Sequence, residues 1–289
     1  MAVEIVDLLE ASADADKKAV CGRQWVHRHL TTKAMSVTPS LPSAFQLSSE
    51  EVAGGEVHVW KLPLDIDEST LAKVAGLLSA DERGRADRLQ SEVHRGRFIA
   101  GRGMLRLILG RYCDVQPAEL RFDYAPNGKP TLRWGAGTRS PGALHFNLAH
   151  SDGVGVLAIT RIGPVGVDVE HVRDFPELSE FVRGFFSARE AAEFSALRCE
   201  GRLAAFFTLW TRKEALLKAI GEGIGQSLDR VEVTFLPGVP ARVLSLPTYL
   251  DLGCRWSLVD LMMSPSYVGA LALPLCNASV FQFEFSPRV

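Results

Sequence analysis

The sequence predicts an α+β fold made of two similar halves. Segments with strand character and segments with helical periodicity come in groups rather than in strict alternation, which disfavours a doubly wound sheet. The order strand, helices, strands occurs twice, and the second round begins near residue 163. A hydrophobic content of 47% over 289 residues supports a sizeable core, in one large domain or two ordinary ones.

Residues 1–45 differ from the rest. A short helical stretch at 4–10 leads into TTKAMSVTPSLPSAFQLSSEE, rich in Ser, Thr and Pro, which reads as a poorly ordered extension or linker. The organised chain begins at VHVWKLPL, whose alternation predicts a strand. From 68 to 112 the pattern is helical, with Ser79 as an N-cap ahead of Asp81 and Glu82. FDYAPNGKPTL reads as a loop, with Pro126, Asn127 and Gly128 forming a tight turn. ALHFNLAHS and GVGVLAITR are expected as strands joined around 151–153, and VGVDVEHV as another. Helices are expected at 178–183, after an N-cap at Ser187, and over 202–220. VEVTFL, RWSLVDLMM and YVGALALPL return to strands. The expected halves are 46–162 and 163–289.

Bulk properties exclude several classes. The net charge of −2 rules out a uniformly basic surface. The N-terminal MAVEIVDLLEASADADKK carries acids where a secretion signal would carry bases, and no segment approaches ~20 uninterrupted apolar residues. The five cysteines (Cys21, Cys113, Cys199, Cys254, Cys276) include no C-x-x-C, which argues against a disulfide framework or zinc ribbon and suits a reducing compartment. A cytoplasmic protein with no membrane association is expected. The seven histidines show no metal spacing. GRGMLRLILG has Arg106 where a dinucleotide fingerprint needs its third glycine, and no phosphate-binding P-loop sequence occurs.

Four groups could carry chemistry, and each also has an ordinary explanation. Asp168 and Glu170 lie two apart on a strand and so project to one face. A bare D-x-E is more often a solvated edge, but two carboxylates beside a phosphate are a common way to hold Mg²⁺. Trp210, Glu214 and Lys218 recur every four residues along one helical stripe. Alone, Glu214 and Lys218 are an exposed pair contributing about 0.3–0.5 kcal/mol; facing Asp168 and Glu170, they become a third acid and a phosphate counter-charge. Between 83 and 111 there are eight arginines against two acids. Arg88, Arg95, Arg102 and Arg106 would share a stripe on a continuous helix, either as a solvated face or as a phosphate surface. Lys129, in NGKP, and His150, ending NLAH, are candidates to reach into a cleft, although a strand-end histidine is more often an ordinary polar residue.

Taken in order, NGKP, HFNLAHS, VGVDVE, FFSAREAAEF and LWTRKEALLKAIGEGI resemble the successive motifs of the 4′-phosphopantetheinyl transferases, in the longer, pseudo-dimeric Sfp-type branch. The quoted motifs span residues 127–224, with weaker resemblance on either side and none in residues 1–45. The resemblance implies a pseudo-two-fold α+β fold with a ligand cleft between the halves. It implies transfer of phosphopantetheine from coenzyme A to a serine of an apo acyl or peptidyl carrier protein, releasing adenosine 3′,5′-bisphosphate. Mg²⁺ would be held by Asp168, Glu170 and Glu214, and Lys218 would lie along the pyrophosphate. Lys129 and His150, with Arg85 and Arg97, would meet the adenosine end and its 3′-phosphate. Glu190 would help deprotonate the incoming serine. Where the family often has serine before the histidine, this chain has Ala149, so one ligand hydrogen bond is not expected. Two fused halves imply a monomer. A nucleic-acid-binding protein using the arginine stripe is the rival, but no recognised motif accompanies the stripe. A degenerate relative that binds without turnover is the third reading.

Overall fold

The structure, a computed structural model, describes residues 55–133, 144–222, 227–250, 253, 255–275 and 278–286. The expected N-terminal extension lies outside the described residues.

The chain runs β1 (Glu56–Pro63), α1 (Glu68–Ala75), α2 (Ala80–Ala86), α3 (Glu92–Cys113), β2 (Phe122–Tyr124), β3 (Pro130–Leu132), β4 (His145–Ser151) and β5 (Val154–Thr160). It then repeats that order as β6 (Gly166–His171), α4 (Leu178–Phe185), α5 (Ala188–Ser195), α6 (Cys199–Ile220), β7 (Glu232–Val233), β8 (Val243–Ser245), β9 (Ser257–Asp260) and β10 (Tyr267–Leu273), before β11 (Ser279–Glu284). The repeat extends to pairing. In the first round β5 sits between β1 and β4, all antiparallel, and β2 pairs with β3. In the second, β10 sits between β6 and β9, and β7 pairs with β8. The fold is α+β with two topologically similar halves.

Alternation along β1 builds the layers. Val57 and Val59 join Val156, Val167, Val169 and Leu271 in an apolar layer between the two sheets. Trp60 and Leu62, on the other face of β1, pack with Met104, Leu105 and Leu109 of α3. On the far side of the second sheet, Ala270 and Ala272 meet Trp210, Leu216 and Leu217 of α6. The order is therefore helices, sheet, sheet, helices.

The helical pattern over 68–112 and the N-cap at Ser79 hold, while two sequence expectations, the arginine stripe and the loop, need correction. The helical region 68–112 is three helices, because Ser79 and Ser91 each start a new one. The arginine stripe consequently does not exist as a surface. Arg88 is exposed in the break, Arg95 pairs with Glu92, and Arg102 and Arg106 turn inward to the buried Glu82. Burial alone would push the Glu82 carboxyl up, but Arg102 and Arg106 hold it below its ordinary range. FDYAPNGKPTL is a hairpin rather than a loop, since β2 and β3 pair across the NGK turn, where Gly128 adopts φ +82°. The strand β11 was not anticipated. It lies parallel to β1, with Glu56 opposite Ser279 and Lys61 opposite Glu284.

Candidate active site

Helix α6 carries the centre of the site. Trp210 is buried, stacked on Phe206 at 6.2 Å and edge-on to Phe181, and so seats the helix. Gly221, at φ +91°, ends it by donating its N–H to Leu217. Strand β6 crosses the helix closely: a β-carbon at Gly166 would run into the Ala215 carbonyl and the Ala219 amide. That close approach brings Asp168 against α6 while Val167 and Val169 face the inter-sheet core.

Lys218 Nζ donates to Asp168 Oδ1 at 2.6 Å and stands 3.8 Å from Glu214 Oε2. Burial opposes the charge on Lys218, yet Asp168 and Glu214 hold its pKa above the ordinary lysine value. Glu214 is buried, and desolvation, with Asp168 and Glu170 nearby, pushes its carboxyl up to about 8. Desolvation and Asp168 push Glu170 up to about 7. Asp168 Oδ2 and Glu214 Oε1 are buried with no hydrogen-bond partner. Such orphaned oxygens are costly unless something satisfies them.

The first half supplies the other side. His150, next to last in β4, is exposed, and its pKa is lowered by desolvation and by Lys218 and Arg97. Arg97, on α3, makes a two-pronged contact with Asp65 (2.7 and 3.0 Å) and also pairs with Asp152. Lys129 Nζ donates to the main-chain oxygens of Val165 (3.0 Å) and Lys218 (2.6 Å), while Asn127 Nδ2 donates to Gly221 O at 3.0 Å. The NGKP turn thus caps the C-terminal end of α6 from the opposite half. The structure brings Asp168, Glu170, Glu214, Lys218, His150, Arg97 and Lys129 into one region.

Arg85 and Glu190 have other partners. Arg85 lies over the Tyr124 ring, 4.0 Å from its centre. Glu190 is buried, and its carboxylate is taken by Ser187 N (3.2 Å), Val233 N (3.1 Å) and Lys213 Nζ. It closes the capping box of α5 and ties that helix to α6. Glu82 has the corresponding place in the first half, at the third position of α2 with arginines of α3 around it.

Comparisons with known proteins identify the family. Residues 164–272 match the profile of the 4′-phosphopantetheinyl transferase superfamily. The chain is 40% identical over 219 residues to the 4′-phosphopantetheinyl transferase HetI of Nostoc sp., covering 75% of this chain and 87% of that protein. The chain belongs to this family. It is also 36% identical over 174 residues to a putative 4′-phosphopantetheinyl transferase of Synechocystis sp., covering 60% of this chain and 68% of the relative. To the 4′-phosphopantetheinyl transferase Sfp of Bacillus subtilis it is 27% identical over 171 residues, 59% of this chain and 71% of that one. Among the described residues, no helix is long and apolar enough to cross a membrane.

The donor chemistry of Asp168, Glu170 and Glu214 fits a hard divalent cation, since these are carboxylates with two orphaned oxygens. As they stand, with Lys218 among them, the described residues contain no ready-made set of three His, Cys, Asp or Glu ligands. The sequence reading passed over Asn147 and Ser151. Asn147 Oδ1 accepts from Val167 N at 2.8 Å, and Ser151 Oγ accepts from His171 N at 3.1 Å. These two side chains join the edge of β4 to the edge of β6, and the four-residue spacing on both strands was the available signal.

Proposed function

We propose that this protein transfers the 4′-phosphopantetheine group of coenzyme A to a serine of an apo acyl or peptidyl carrier protein, with Mg²⁺ as cofactor. The observation that carries the reading is the Lys218 ammonium lying between Asp168 and Glu214, each with an orphaned oxygen. Phosphoryl transfer needs positioning and charge neutralisation more than covalent assistance. Asp168, Glu170 and Glu214 would hold the ion, which supplies Lewis-acid stabilisation of pyrophosphate charge.

Lys218 moves its charge from the carboxylates to the pyrophosphate when substrate is present. His150 and Arg97 receive the adenosine end and its 3′-phosphate, and the family likeness adds Lys129 and Arg85. Lys129 keeps one N–H beyond the two it gives to carbonyls. The serine oxygen bonds to the phosphorus bearing the pantetheine arm as the bond to adenosine 3′,5′-bisphosphate breaks. With Glu170 and Glu214 committed to the ion, the serine proton is released to solvent in this reading. Glu190 has no part in this reading, because its oxygens are already engaged. One chain contributes both sides of the site, which supports a monomer.

Intact mass of an apo carrier protein after incubation with the protein, coenzyme A and Mg²⁺ tests the reading. The expected gain is one phosphopantetheine, absent with EDTA and absent with folded Asp168→Asn. Full transfer by Asp168→Asn at ordinary Mg²⁺ would remove Asp168 from the site.

A further inference from the structure

Ser151 makes two hydrogen bonds with different consequences. Its Oγ accepts from the main-chain N–H of His171 at 3.1 Å, and its hydroxyl proton goes to Glu170 Oε2 at 2.7 Å. The side chain is buried at the end of β4, in the half opposite Glu170. Ser151 turns towards the second half, where its hydroxyl meets Glu170. Arg173 approaches the same Glu170 oxygen at 3.7 Å, so Oε2 is engaged from two sides.

A glutamate has three rotatable bonds, and one fixed oxygen determines where the other points. The geometry points to Ser151 as a positioning residue: it anchors Glu170 Oε2 from across the two halves, so that Oε1 is presented to the space shared with Asp168 and Glu214. The inference rests on the proposed metal-binding role of these carboxylates and adds a contribution from the first half to that site. Partners of ligating carboxylates of this kind typically account for about 10- to 100-fold in metal affinity. Asn147 provides an internal comparison. It bridges the same two strands through Val167 N at 2.8 Å but, among the described residues, bonds to no carboxylate.

The test is Mn²⁺ binding, followed by electron paramagnetic resonance, to the full-length protein with coenzyme A present. Ser151→Ala is expected to weaken Mn²⁺ binding by about 10- to 100-fold, while Ser151→Thr, which keeps the hydroxyl, stays close to wild type. Asn147→Ala is expected to lower the melting temperature without moving the Mn²⁺ midpoint. Wild-type Mn²⁺ affinity in folded Ser151→Ala would overturn the inference. So would an equal loss in Asn147→Ala, because the effect would then belong to strand bridging and not to Glu170. If Ser151→Ala does not fold, Ser151→Thr decides: a 10-fold loss with the hydroxyl retained overturns the inference. Asp168→Asn separates this failure from that of the metal reading. If the wild type itself binds no Mn²⁺, or Asp168→Asn binds it as well as wild type, the metal site is wrong and the inference falls with it. If only Asp168→Asn loses binding, the metal site stands and Ser151 does not position it.

Discussion

Lys129 Nζ donates to the main-chain oxygen of Lys218 at 2.6 Å, so a turn in one half grips the end of the helix that carries the site in the other. Burial, with Lys218 nearby, lowers the Lys129 pKa from 10.5 to about 8. Between those two values the unfolded chain keeps a proton that the folded chain has released. The contribution of this group to stability therefore rises with pH across that window and is flat below it. Urea unfolding of wild type and Lys129→Met at pH 7.5, 9 and 10 is expected to show the difference growing in favour of wild type. A constant difference would mean that the ammonium titrates at its ordinary value.

Gly166 is required by the approach of β6 to α6. Alanine there would push against main-chain atoms of Ala215 and Ala219, which cannot rotate away. Gly166→Ala is expected to cost about 2–3 kcal/mol, or roughly 4–12 °C in melting temperature. Thermal unfolding within 1 °C of wild type would show that the helix can shift outward freely.

Glu82 is the carboxylate partner of two buried guanidinium groups, those of Arg102 and Arg106. Removing it leaves both charges uncompensated in the interior, so Glu82→Ala is expected to lose about 3–5 kcal/mol. Because its pKa is depressed in the fold, this contribution is present above the ordinary carboxylate range and fades as pH falls through the folded value. Chemical denaturation at pH 7 and pH 4 checks both the size and the direction. A loss that does not shrink at pH 4 would contradict the electrostatic account.

Glu190 and Lys213 form the corresponding buried pair in the second half. Glu190→Met alone is expected to destabilise strongly, whereas Glu190→Met combined with Lys213→Met recovers much of the loss, since replacing both charges removes the unpaired one. A double-mutant cycle read by denaturation measures the coupling. Additive losses would mean that the two residues act independently, and would reopen a separate role for Glu190.

The sequence revealed the parts of the site that depend on local period. Asp168 and Glu170 share a face because strands alternate, and Glu214 and Lys218 share one because helices return every four residues. Partners distant in sequence were less legible. Arg102 and Arg106 have the spacing of a surface stripe, and nothing near them says that Glu82 waits in the interior. Lys129 was read as a ligand contact, but main-chain carbonyls at 165 and 218 have no sequence signature. Glu190 matched a motif position, yet its partners Lys213 and Val233 come together only in the folded chain. β11 was missed because its parallel neighbour lies more than two hundred residues upstream.

The seating of β11 beside β1 has a consequence for biosynthesis. Residues 56–61 leave the ribosome more than two hundred residues ahead of 279–284, the neighbour that covers one of their edges. Throughout translation of the intervening chain, β1 carries an unpaired row of amides and carbonyls on that side, open to any strand that meets it. The first sheet is completed only once residues 279–284 have been made.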